Sequence, residues 1–292
     1  MSIDRVILFR LATNSLLERG VRAAAPAERL AWRAAARYVA GTTAEYAVRT
    51  AHQLHERGVA SSIDQFGELV RDAAEAERVA EDYLRLAGEL RVLPDDAWLS
   101  VDLSHLGLDV NTGYCADKLS AVAEKLPPGR RVQVGAEDYD RADAVLECVL
   151  TAAGNGLADR IGATVQANLR RSERDLDRLV DAGVHVRLVK GAYVEPADRA
   201  LPYGEPTDIA FTRLAHRLAE ADASFALATH DGVLREALLA ALGPRPVEQL
   251  LGVRPATLDD LVARGVPVRV YVPFGNEWFR YWMRRLAESR GS

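Results

Sequence analysis

From residue 58 onward the chain alternates short β-prone runs with helical segments, and that rhythm restricts the fold more than any other feature. The runs lie at 59–64 (VASSID), 98–103 (WLSVDL), 131–135 (RVQVG), 161–166 (IGATVQ), 184–190 (VHVRLVK), 224–229 (SFALAT), 246–252 (PVEQLLG) and 266–272 (VPVRVYV). Between them, apolar residues recur at three- and four-residue spacing. Ala76, Val79, Ala80, Tyr83 and Leu84 form one such stripe, and Ala142, Val145, Leu146, Val149 and Leu150 another. Ser172 with Asp175 has the spacing of a capping box ahead of Leu176, Leu179 and Val180. Strands separated by helices pair in parallel, because each return needs a crossover on the sheet face. Eight such units in about 230 residues predict a closed, distorted (βα)8 TIM-like barrel. Residues 1–57 read as an N-terminal helical arm, and 58–292 as the barrel that carries the binding sites. The rival is an open doubly wound sheet, which favours a glycine-rich loop after its first strand. Asp64 to Gly67 is not one, and Gly154 with Gly156 follows a helix and reads as a helix stop.

Composition narrows the functional classes. With 292 residues, 49% hydrophobic, and a net charge of −5 spread in both signs, the chain offers no basic patch for nucleic acid. No apolar run reaches the length of a membrane span, and the opening residues lack the apolar core of a signal peptide. Cys115 and Cys148 stand without metal or redox spacing, so no metal and a reduced, cytoplasmic setting are expected. Peripheral docking of the termini at the inner membrane stays open.

In a barrel of this kind, chemistry collects at the C-terminal ends of the strands. That rule selects Asp64, Asp102, Glu137, Asp138, Gln166, Asn168, Arg187, Lys190, His230, Asp231 and Tyr271. Lys190 is conspicuous, since the chain has only three lysines against 34 arginines. It reads either as a solvated strand end or as a cation facing an anionic ligand. In the last helical segment, Tyr281, Arg284, Arg285 and Glu288 share one face. Adjacent arginines offer forked donors to a carboxylate or phosphate, and the aromatic neighbours point to a pocket wall. A solvated basic turn at a helix C-terminus is the bland alternative.

Together, the segments 187–193 (RLVKGAY), 228–231 (ATHD), 271–275 (YVPFG) and 281–288 (YWMRRLAE) resemble the proline dehydrogenase family. Shorter matches at 39–42 (VAGT), 63–68 (IDQFGE) and 165–167 (VQA) extend the resemblance through most of the chain. The resemblance implies an FAD-dependent enzyme that oxidises L-proline to 1-pyrroline-5-carboxylate by hydride transfer to the flavin N5. It implies that Arg187 lies near N5 and that Ala136, Gln166, Lys190, Gly191, Ala192, Tyr193, Thr229 and His230 hold the cofactor. Arg284 and Arg285 would grip the substrate carboxylate, Tyr271 and Tyr281 would pack around its ring, and Glu288 would brace the arginines. Electrons would pass to a quinone or another acceptor, and an aldehyde dehydrogenase would take the product onward.

Two positions depart from the family pattern. The family's second-strand lysine is replaced here by Asp102, and its third-strand aspartate by Gly135. Drift toward arginine does not turn lysine into aspartate, so a remodelled pocket is expected, with Asp102 facing the substrate. Reversing a charge about 4 Å from a bound carboxylate changes the interaction by several kcal/mol at an effective dielectric near 20. A different amine or imino acid is therefore a second reading. A Schiff-base lyase using Lys190 and a non-catalytic flavin-binding barrel are further alternatives.

Overall fold

The computed structural model describes residues 24–191 and 193–289, the side chains of residue 284 and residues 286–289 excepted. Eight parallel strands close in chain order: β1 (Ala60–Gln65), β2 (Ala97–Val101), β3 (Val132–Val134), β4 (Ile161–Gln166), β5 (His185–Val189), β6 (Phe225–Ala228), β7 (Val247–Leu250) and β8 (Val268–Phe274). The seam is the longest pairing, with β8 running beside β1 from Ala60↔Arg269 to Gln65↔Phe274. Helices α3 (Ala73–Glu89), α4 (Thr112–Lys125), α5 (Ala142–Ala152), α6 (Ser172–Asp181), α7 (Glu205–Glu220), α8 (Gly232–Leu242) and α9 (Pro255–Ala263) make the crossovers. Their apolar stripes meet the outward strand faces in one continuous core, which includes Ala76, Ala80, Tyr83, Leu119, Val149, Leu176, Phe211 and Leu261. The expected barrel is thus the observed one.

Among the described residues two helices precede it, α1 (Ala25–Ala35) and α2 (Ala44–His55), while residues 1–23 of the expected arm lie outside them. Helix α2 packs on β1 and β8 and buries Ala47, Ala51 and Leu54 in the main core. Helix α1 packs instead on α10 (Trp278–Ser289), which follows β8. Ala31, Ala35, Tyr38 and Val39 form with Trp278, Phe279, Tyr281 and Met283 a separate, smaller cluster. Within it the Trp32 and Trp278 rings meet edge-on at 5.2 Å.

Local signals behaved differently from one another. Gly156, at φ 84°, ends the α5 segment in a π-turn, as its reading as a helix stop predicts. The expected capping box does not form. Helix α6 begins at Ser172 itself, so this residue is already in the first turn, and its hydroxyl donates to the Gln166 carbonyl at 2.5 Å. Among the described residues the side chains that cap α-helices are Asp72, Asn111 and Asp231, which accept from Glu75 N, Tyr114 N and Leu234 N. Strand β2 ends at Val101, so Asp102 stands just beyond it.

The barrel interior departs from the usual branched-apolar filling. Inward positions in the register include Ser62, Ser100, Gln133, Thr164, Arg187, Glu248 and Tyr271. Contacts between non-adjacent strands confirm that they face the axis: Arg187 on β5 reaches both Glu248 on β7 and Ser62 on β1. At the N-terminal end, Trp98 has the Arg269 guanidinium 3.4 Å from its ring centroid and the His185 ring edge-on at 5.4 Å. The polar lining therefore sits above an aromatic and cationic floor.

Gly252 ties the arm to the barrel. It has φ 73°, its carbonyl accepts from Arg37 Nε at 2.9 Å, and a Cβ there would lie 1.9 Å from the Arg37 carbonyl oxygen. Gly265 has a similar φ of 72° but open space around it. In urea denaturation, Gly265→Ala should cost about 1–2 kcal/mol for the left-handed backbone alone. Gly252→Ala should cost clearly more, and equal losses would remove the steric tie from the account.

Candidate active site

The deepest candidate is Arg187. Its Nε donates to Glu248 Oε2 at 2.5 Å and its Nη2 to Ser62 Oγ at 3.4 Å, with both charged residues buried. The bond crosses over β6, where the inward residues Ala226 and Ala228 are small enough to let it pass. A buried ion pair is retained only where geometry and further hydrogen bonds offset desolvation, and here the serine supplies a further bond.

Above it lies a cluster of hydroxyls and carboxylates. Asp64 is buried, and its two oxygens accept from Tyr271 at 2.6 Å and Tyr83 at 3.2 Å. Burial pushes the Asp64 carboxyl up to about 6, against the pull of the two phenols and of Arg187. The same burial, with the charges of Asp64 and Asp102, holds Tyr83 and Tyr271 far above the usual phenol range. Tyr271 faces Tyr281 of α10 at 6.1 Å, Phe66 lies 5.1 Å from Tyr281, and the Arg285 guanidinium sits 4.9 Å over the Tyr281 ring. Four of the predicted substrate-side residues (Tyr271, Tyr281, Arg285 and Asp102) therefore converge on one mouth, while the side chain of Arg284 lies outside the described residues. Asp102 and Gly135 prove to be one feature: a Cβ at 135 would lie 1.9 Å from Asp102 Oδ1. The carboxylate occupies the space where a third-strand side chain would begin.

The remaining candidates line the rim from β3 to β7. Gln166 Nε2 donates to the Glu137 carbonyl at 2.8 Å, and the buried Glu137 carboxylate accepts from Ser104 N at 2.9 Å. Burial raises the Glu137 carboxyl. Tyr193 donates to the Ala136 carbonyl at 3.0 Å. Gly191, at φ 145°, packs so closely on Asn168 that a Cβ would lie 2.1 Å from Asn168 Oδ1. Lys190 is held by Asp208 at 2.6 Å and Asp231 at 2.7 Å. Burial opposes its charge, but these two carboxylates win and hold the ammonium above its ordinary value. Asp231 also caps α8, and its N–H donates to Thr229 Oγ1 at 3.1 Å. His230 Nε2 accepts from Leu250 N at 3.1 Å, which places the proton of the neutral ring on Nδ1. Asp138 is structural, capping the turn at Tyr139–Arg141 and pairing with Arg141. Ala192 and the side chain of Glu288 lie outside the described residues.

Sequence reasoning does not single out Glu248, Tyr83 or Asp208, nor Ser62 and Ser104. Glu248 left a signal, as the one charged residue inside the 246–252 run. Tyr83 was assigned to a helix stripe, and Asp208 lies on a helix face, where nothing in a single sequence marks a partner for Lys190.

Buried neutral histidines make the fold acid-sensitive. Burial lowers His105 and His230 to about 4, and burial with Arg131, Arg187 and Arg269 lowers His185 to about 3. Each is depressed below the unfolded value, so its stabilisation is complete above about pH 6.5 and is lost as pH falls toward 4 and 3. Asp64 acts in the opposite sense, since its raised carboxyl favours the fold as pH falls from about 6 toward 4. Urea denaturation between pH 7 and 4 should show a net loss of stability on acidification. Asp64→Asn should steepen that loss, and a flat profile in both proteins would contradict the histidine assignment.

The model of the proline dehydrogenase family matches residues 47–292. A proline dehydrogenase of Deinococcus radiodurans is 30% identical over 97% of this chain and 94% of its own length. Proline dehydrogenase 1 of Bacillus subtilis strain 168 is 32% identical over 87% of this chain and 86% of its own. Among solved structures, proline utilization A (PutA) of Bdellovibrio bacteriovorus superimposes with a TM-score of 0.80 over 98% of this chain at 20% identity, and PutA of Bradyrhizobium japonicum with 0.74 over 90% at 22%. This chain spans about a third of those PutA chains, 36% and 31%, and they share its fold. With the barrel and the family match in agreement, the chain belongs to the proline dehydrogenase family.

Proposed function

We propose that the chain is an FAD-dependent dehydrogenase that oxidises L-proline to 1-pyrroline-5-carboxylate. Beyond family membership, the observation that carries this reading is the buried arginine at mid-barrel, set beneath a mouth lined by Tyr271, Tyr281 and Arg285. The rim suits a large ligand rich in hydrogen-bond acceptors and donors. His230 Nδ1 and Asn168 Oδ1 are both buried and have no protein partner among the described residues, one offering a proton and the other accepting. Buried polar atoms of this kind are costly unless something satisfies them. Gln166, Lys190, Gly191, Tyr193, Thr229 and His230 would hold the FAD, with Lys190 positioned by Asp208 and Asp231. When bound, FAD supplies the hydride acceptor.

The chain's own groups would orient the substrate. Arg285, with Arg284, binds the carboxylate in a forked geometry, and Tyr271 and Tyr281 close over the ring. Tyr271 is fixed in place by Asp64. Arg187 holds positive charge below the reacting face, where negative charge develops. The electron acceptor would be a quinone or another oxidant, and an enzyme that oxidises the aldehyde form of the product would follow. The setting we infer is cytoplasmic, and no described helix is long and apolar enough to cross a membrane.

The lyase reading loses ground on Lys190. A Schiff-base lysine needs a depressed ammonium value, whereas this one is raised and locked between two aspartates. The altered-substrate reading keeps one specific observation, the carboxylate of Asp102 in the place vacated at Gly135.

Purified protein should be yellow, and L-proline should bleach its flavin absorbance anaerobically. Turnover with a dye acceptor should fall roughly 100-fold or more in Arg187→Ala. A colourless protein would favour the lyase, and a yellow one that no amine bleaches would favour a non-catalytic barrel. Comparing L-proline turnover in wild type and Asp102→Lys settles the substrate question, since robust wild-type turnover removes the altered-substrate reading.

A further inference from the structure

We propose that Glu248 is a positioning residue that sets the charge Arg187 presents to a bound flavin and so holds the reduction potential of the site down. The inference rests on the flavin reading above. Its basis in the molecule is the bond from Arg187 Nε to Glu248 Oε2, 2.5 Å long, between two residues that are 7% and 5% exposed.

At this depth water screens little, and a carboxylate in contact with a guanidinium offsets part of the field the guanidinium exerts beyond it. Other groups around the pair do not take over its role. Ser62 bonds Arg187 but carries no charge. Arg269 is the register neighbour of Glu248 on β8, and its Nη1 donates to the carbonyls of Ser61 and Asp96, both at 2.6 Å. Asp64 acts on Arg187 only from a distance, since its two oxygens are taken up by the hydroxyls of Tyr271 and Tyr83. Glu248 is thus the carboxylate that neutralises Arg187 directly. The alanines at 226 and 228 on the intervening strand permit the contact, so the pair is built into the barrel lining rather than improvised by a long side chain.

The consequence is directional. A full positive charge beside the flavin stabilises its electron-rich reduced form and raises the potential, and a neutralised one does so less. A site built this way accepts a hydride less avidly from the substrate and passes electrons on more readily. Glu248 also orients the guanidinium through Nε, leaving one edge of the fork free of carboxylate.

The test is the midpoint potential of the flavin-loaded full chain, titrated spectroelectrochemically in wild type and in Glu248→Gln. Glutamine keeps the shape and removes the charge. The two-electron equilibrium should shift at least tenfold toward the reduced form, which is about 30 mV upward. Glu248→Asp keeps the charge but withdraws it from the guanidinium, so a smaller rise is expected there. It also serves as the readout if the glutamine variant does not fold. Flavin-loaded variants at or below the wild-type potential would overturn the inference alone. A wild-type chain that binds no flavin would overturn the functional reading together with it.

Discussion

Closure of the sheet on itself, sealed by the register of β8 beside β1, is the constraint from which the rest follows. A closed parallel barrel turns every second residue of each strand toward one axis. Residues far apart in sequence then meet without any local signal that they should. Arg187 touches Glu248 and Ser62 because strands five, seven and one face a common interior. The same geometry shields these groups from water, which makes one buried arginine matter more than many on the surface. It also explains why Ala226 and Ala228 are small: they lie beneath a bond that must pass over β6.

Charge at the mouth is governed by burial as much as by residue type. Asp64 and Glu137 are carboxylates by sequence, yet both are displaced toward the neutral form by loss of solvent. His105, His185 and His230 are displaced toward neutrality from the other side. Lys190 goes the other way, held in its charged form by Asp208 and Asp231 against the cost of burial. A count of acidic and basic letters around the rim would misjudge the field inside it.

Much of this was legible in the chain. The period-two runs and three-four stripes give the eight units, and the strand-end rule reaches Asp64, Gln166, Arg187, Lys190 and His230. What stayed hidden has physical reasons. The Ser172–Asp175 spacing is ambiguous because a serine one position inside a helix looks the same in sequence as one that caps it. Here the Gln166 carbonyl claims its hydroxyl. Glu248 is illegible in the sequence because a charge within an apolar run has no meaning until its partner on another strand is known. The link between Asp102 and Gly135 was suspected as a paired change, but only the fold shows that one side chain fills the other's space.

The last helix belongs with the arm rather than with the barrel. Its Trp278, Phe279, Tyr281 and Met283 share a small cluster with Ala31, Ala35, Tyr38 and Val39, set apart from the main core. Regions held by few buried apolar contacts are less stable locally than the main core of a fold. The wall of the mouth that carries Tyr281 and Arg285 is therefore braced from the arm, through aromatic contacts such as Trp32 with Trp278. Access to the interior is in this sense written into the arm, some 250 residues upstream of the helix it restrains.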